Sequence, residues 1–144
     1  MKNFQQGFAS IFLTAIVGSL FSVVLISLDT ARSKGQDARI RANLSSMRSS
    51  AELYYEKNKM SYSVAHSCDT GMFLKDPNFV TIITDLKSKT KTDLTCFAET
   101  STYAVSASLG TPEEFTCVDS TGFSGLGVAV DENAKAFCKS NITN

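Results

Sequence analysis

Residues 27–58 read SLDTARSKGQDARIRANLSSMRSSAELYYEKN, and this stretch decides how the rest of the chain is read. It holds no proline, a single glycine at position 35, and many good helix formers. Ile40, Leu44, Met47, Ala51 and Tyr54 recur at steps of four, three, four and three. That spacing predicts a helix with one apolar stripe, flanked by Arg39, Arg41, Arg48, Glu52 and Lys57. A stripe of this kind is built to pack against a small domain.

Upstream the character changes without a breaker. No charged residue lies between Lys2 and Asp29, and Phe8 to Leu28 reads FASIFLTAIVGSLFSVVLISL. As a helix this run of about 20 residues extends roughly 30 Å, the thickness of a bilayer's hydrocarbon core. A cleaved secretory signal has a shorter apolar region, of about 7 to 15 residues. A helix apolar on every side is also unusual in the core of so small a domain. The sequence therefore predicts a membrane-spanning segment at 8–28, with an amphipathic continuation at 29–58, together a rod of roughly 75 Å.

Downstream of Asn58 the helical period is lost, and 59–144 is expected to form a small globular head. SYSVAHSCDTG (61–71) reads as a loop, and DPNFVTIITDLKS (76–88) is compatible with either a short helix or an extended segment. TSTYAVSASL (100–109) has strand-like alternation, and Gly110-Thr111-Pro112 turns it into EEFTCVDSTG (113–122) as an antiparallel hairpin. From Gly122 to Asn144 the glycines and the polar tail predict mostly irregular structure. The fold class expected is α+β: a long N-terminal helix packed on a small antiparallel β head.

Cys68, Cys96, Cys117 and Cys138 all lie beyond the apolar segment, and an even count there points to two disulfides. Four cysteines allow three connectivities. In a hairpin turning near Thr111, Cys96 and Cys117 stand at different distances from the turn and should not face each other. Cys68 with Cys96 and Cys117 with Cys138 is the pairing preferred. The cysteines form no CxxC, and His66 is the one histidine, alone in a polar loop, so no zinc site is expected. Asp69, Asp76, Asp85, Asp119 and Asp131 are too scattered for a calcium loop of the EF-hand type. No GxSxG or SxxK occurs, and no catalytic residue or cofactor-binding residue is assigned. Lys and Arg together number 14, as do Asp and Glu, so the net charge of zero gives no global attraction to nucleic acid. Local basic clusters at Arg32, Lys34, Arg39 and Arg41 and at Lys87, Lys89 and Lys91 leave nucleic acid open as a partner.

The order of parts resembles bacterial type IV pilins and the pseudopilins of type II secretion. Gly7-Phe8 looks like the prepilin peptidase junction, and Ser27 to Asn58 is similar to the pattern SLNSARxKxxDARRxxxLxxLxxALELYYxxN of one large pilin group. YAVSASL and FTCVDSTG resemble the paired head strands of that group, and the likeness is vaguest from Val64 to Thr95. The resemblance implies a structural protein rather than an enzyme: a leader at 1–7, cleavage after Gly7, methylation of Phe8, and assembly into a helical filament. Ile11, Phe12, Leu13, Ile16, Val17, Leu20, Val23 and Leu25 would then exchange membrane lipid for neighbouring subunits. The implied partners are copies of itself or other pilins, the prepilin peptidase and the assembly machinery. The implied location is a single membrane pass with the head outside, then an extracellular pilus. Family members usually read GFTLIELL, whereas this chain reads GFASIFLT, with Phe12 in place of the glutamate. Pilins without that acid include tip subunits, so a minor or tip subunit stands among the readings. A membrane-anchored extracellular binding module that never polymerises is the alternative.

Overall fold

The computed structural model describes the backbone of residues 2–90, 92–111 and 113–140, and side chains from residue 28 onward within those spans, apart from 89–90. Helix α1 runs Lys2–Lys57. The chain divides into two compact units, Met1–Gly35 and Gln36–Asn144. The first is helix throughout its described length. Its apolar stretch, with the expected span at 8–28, lies outside the residues whose side chains are described, Leu28 excepted. Among the described residues no helix is long and apolar enough to cross a membrane.

The second unit begins inside α1, so the amphipathic part of the helix belongs to the same body as the head. Ile40, Leu44, Met47 and Ala51 are buried, and Tyr54 packs beside them, as the stripe predicts. Two consecutive left-handed residues, Lys59 and Met60, close the helix, with the Met60 amide donating to the Tyr55 carbonyl at 3.0 Å. Such backbone costs a residue with a Cβ about 1–2 kcal/mol. Asn58 helps hold it by donating from Nδ2 to the Ser61 carbonyl at 2.8 Å.

The loop that follows is fastened to the head by two bonds between Ala65 and Ala98, each amide donating to the other's carbonyl, at 2.8 and 2.7 Å. Gly71, at φ 56°, ends this loop where a Cβ would lie 2.6 Å from the Val64 carbonyl oxygen, so only glycine fits. A short helix α2 (Met72–Lys75) leads into α3 (Pro77–Asp85), and a π-helical turn, Leu86–Thr90, follows. The undecided segment is thus helical, and the reason is local. Asp76 caps the helix by accepting from the Asn78 amide at 2.8 Å, and Pro77 occupies the first turn, where its missing N–H costs nothing. Phe79, Ile83 and Leu86 then fall on one buried face, and Phe79 meets Phe73 edge to face at 5.5 Å.

Five strands form an antiparallel sheet in sequence order: β1 (Leu94–Ala98), β2 (Tyr103–Ser108), β3 (Phe115–Asp119), β4 (Ser124–Asp131) and β5 (Ala136–Ser140). The expected hairpin is β2–β3. The expectation of an irregular segment after Gly122 is corrected, because that segment contains two strands. Its turn puts Asn133 and Ala134 both at φ 56°, with Glu132 and Lys135 exchanging backbone hydrogen bonds at 3.1 Å. This is the geometry of a tight two-residue hairpin, usually announced by Asn-Gly. With alanine in the second place the signal is lost from the sequence. Gly127 in β4 also has a structural use: a Cβ there would sit 2.6 Å from the Lys139 carbonyl oxygen of β5.

Register sorts the sheet into two faces. Cys96 pairs with Val105 and Val105 with Val118, and these join the α1 stripe, Phe73, Phe79, Leu86 and Tyr103 in the main core. Ala104 and Cys117 face the other way and form a second, smaller core with Ala129 and Ala136, lined by Phe97, Phe123 and Cys138. The β4–β5 hairpin therefore covers the second face.

Candidate functional site

Gly7, Phe8, Ile11, Phe12, Leu13, Ile16, Val17, Leu20, Val23 and Leu25 are the residues that the sequence singles out for processing and filament packing. All of them fall outside the residues whose side chains are described. The cysteines are all described. Cys68 is bonded to Cys96 and Cys117 to Cys138, with Cα–Cα distances of 4.9 and 5.9 Å, and no thiol is free. One bond lies on each face of the sheet, so each face carries its own staple.

The basic residues are partly engaged in structure. Arg39 donates from Nε and Nη2 to the Asp85 carboxylate at 2.7–3.1 Å, and Asn43 Nδ2 donates to the same carboxylate at 3.2 Å. The pair ties α3 to α1. Lys87 Nζ meets Asp69 at 3.0 Å. Asp37 accepts from the Gly110 amide at 2.8 Å, which holds the β2–β3 turn against α1.

Asp119 is the central polar residue of the second face. Buried at the end of β3, it accepts at Oδ1 from the Thr121 amide, the Thr121 hydroxyl and the Phe123 amide at 2.9, 2.6 and 3.2 Å. Its Oδ2 accepts from the Cys138 amide of β5 at 2.9 Å. One carboxylate thus shapes the β3–β4 turn and docks the last strand. In the main core, Tyr62 stacks on Tyr55 and meets Tyr103 edge on, at 4.5 and 4.9 Å. Burial and then the negative charge of Glu52 raise the pKa of both Tyr62 and Tyr103 above the ordinary 10.0. Tyr62 donates to Glu52 at 3.3 Å, whereas the Tyr103 hydroxyl is buried without a partner.

His66, read from the sequence as an isolated loop residue, has neighbours. Its Nδ1 lies 3.3 Å from Asp131 Oδ2, and one donor atom each from His66, Glu99 and Asp131 lie within 4.8 Å of one another. The three come from the loop after α1, the residue that follows β1 and the end of β4. They are 33 and 32 positions apart in sequence, so no spacing motif exposes them. Among the described residues this is the group whose chemistry suits a metal ion.

Comparison with protein-family models, with curated proteins and with solved structures returns no match.

Proposed function

We propose that this chain is a structural subunit of a type IV pilus or pseudopilus. The observation that carries the reading is the run from Ser27 to Asn58, set behind Gly7-Phe8 and an uncharged stretch long enough to span a bilayer. The architecture of the second unit is compatible with it: the amphipathic part of α1 buries one stripe against an antiparallel sheet, and two disulfides suit an exported head. In this reading the precursor is held in the membrane by residues 8–28 and cut after Gly7 by the prepilin peptidase. It is methylated on Phe8 and packed into a filament by its assembly machinery. Exchanging lipid for a neighbour's apolar side chains contributes little net free energy, since both surroundings are apolar. Assembly then depends on the fit between helices and on contacts between heads. The role is structural rather than enzymatic.

Mass spectrometry of the native protein tests the proposal: the mature chain should begin at an N-methylated Phe8. A native chain that keeps residues 1–7 contradicts it. Phe12, standing where the resembled pilins carry glutamate, favours a minor or tip subunit, and also keeps the second reading of a non-polymerising anchored binding module. Shearing cells separates the two, because only a filament subunit is released in sheared filaments. Antibody labelling of the head distinguishes a tip subunit, marked at filament ends, from one that labels the whole shaft.

A further inference from the structure

The geometry points to a zinc site on the head, formed by His66, Glu99 and Asp131, which does not rest on the filament reading. Two donors each about 2.0–2.1 Å from a tetrahedral zinc ion stand about 3.3 Å apart. His66 Nδ1 and Asp131 Oδ2 are separated by 3.3 Å. Glu99 brings a carboxylate oxygen into the same group, within 4.8 Å of the other donors, on a side chain long enough to close the remaining gap.

A second observation comes from the other oxygen of Asp131. Oδ1 is buried and has no hydrogen-bond partner. A buried acceptor left unsatisfied costs about 1–3 kcal/mol, and more when it carries charge. An ion pair between His66 and Asp131 accounts for Oδ2 alone. A cation held through Oδ2 offsets the negative charge that the carboxylate spreads over both oxygens, and also explains why Glu99 converges on the pair.

The donors stand on a braced frame. The paired hydrogen bonds between Ala65 and Ala98 form an antiparallel bridge, and His66 and Glu99, each the next residue in its own segment, stand diagonally across it from one another. The Cys68–Cys96 disulfide fastens the same two segments, and the Glu99 amide donates to the Thr102 carbonyl at 2.7 Å. Asp131 pairs with Ala136 beside the turn of the β4–β5 hairpin. Little ordering is left to be done on binding. One neutral imidazole and two carboxylates bring a charge of −2 to meet a divalent ion. A nitrogen donor among oxygens favours zinc over calcium, which takes oxygen ligands, and all four thiols are in disulfides. Three protein ligands leave a fourth tetrahedral position for water.

The test is calorimetric titration of the untagged, metal-stripped full chain in detergent with zinc chloride, alongside NMR of 15N-labelled histidine. His66 is the chain's one histidine, so every imidazole resonance reports this site. The expected result is one zinc per chain, with a shift of the Nδ1 resonance. H66Q, in a side chain 65% exposed, should weaken binding at least tenfold without changing the far-UV circular dichroism. D131N should do the same, and E99Q should weaken it severalfold. Absence of saturable one-to-one binding overturns the site, as does zinc affinity unchanged in both H66Q and D131N, or saturable binding of calcium with none of zinc.

Discussion

Cys117 and Val118 are chain neighbours on β3, yet they serve opposite layers. Val118 joins the core under α1, and Cys117 is bonded to Cys138 beneath the β4–β5 hairpin. Both faces of the central strands are covered, and Thr116, Cys117, Val118 and Asp119 are all buried. A sheet sandwiched this way needs fastening on each side, and the two disulfides supply it.

Replacing either cysteine pair by serine should cost about 3–4 kcal/mol, from the closed loops of 28 and 21 residues. Urea denaturation of the oxidised chain and the two double variants checks this. The two losses should differ by only a few tenths of a kcal/mol, since loop entropy grows with the logarithm of length.

Leu44→Ala opens a cavity under the sheet at a fully buried position and should destabilise the fold by about 2–5 kcal/mol. Leu53, 54% exposed on the same helix, gives the control: its alanine variant should stay within about 0.5 kcal/mol of the parent. Thermal or urea melts of the pair read whether the stripe, and not helix propensity, holds α1 to the head.

Asp119→Asn keeps the shape of the side chain but turns one acceptor into a donor. If the amide oxygen stays on Thr121 and Phe123, the new NH2 faces the Cys138 amide. The expected cost is about 1–3 kcal/mol. Hydrogen exchange should quicken first at Cys138, with the β3–β4 turn amides less affected.

Alkaline pH should weaken the fold through Tyr62 and Tyr103. Their folded-state pKa values lie above 10.0, whereas an unfolded tyrosine ionises near that value, so above about pH 10 the unfolded chain releases protons that the folded chain retains. Stability is then lost as pH rises, by at most about 1.4 kcal/mol per pH unit for each tyrosine. Tyr103→Phe should flatten that slope. At neutral pH it should leave stability unchanged or raise it by about 1 kcal/mol, because it removes a buried hydroxyl that has no partner.

The bond between Arg39 and Asp85 involves side chains 47% and 18% exposed, so its contribution is discounted for solvent. A double-mutant cycle with Arg39→Ala and Asp85→Ala should return a coupling of about 0.5–1 kcal/mol that shrinks in high salt.

The amphipathic stripe and the β2–β3 hairpin were legible because each repeats a local rule over many residues: Ile40 to Tyr54 keeps one helical face, and Gly110 to Pro112 separates two alternating runs. The cysteine pairing was legible in part: the hairpin set aside Cys96 with Cys117, which left two connectivities, and the one preferred is the one the disulfides have. Strand β1 was not, since Leu94 to Ala98 is too short to show a period. The β4–β5 hairpin hid behind Gly125 and Gly127, one of which is required by the approach of β5, and behind an Asn-Ala turn. His66, Glu99 and Asp131 meet only through a two-residue bridge and a hairpin end, and nothing at either position marks that meeting in the sequence.

The disulfides join the first cysteine to the second and the third to the fourth, and the strands follow one another in chain order across the sheet. In a chain that emerges N-terminus first, Cys68 meets Cys96 before any other sulfur, and once these two are bonded Cys117 meets Cys138 with no other thiol left to compete. Cys68 and Cys96 can close while Cys117 is still 21 residues behind. Oxidation that keeps pace with the arrival of the chain leads to the native pairing with no bond that has to be reshuffled.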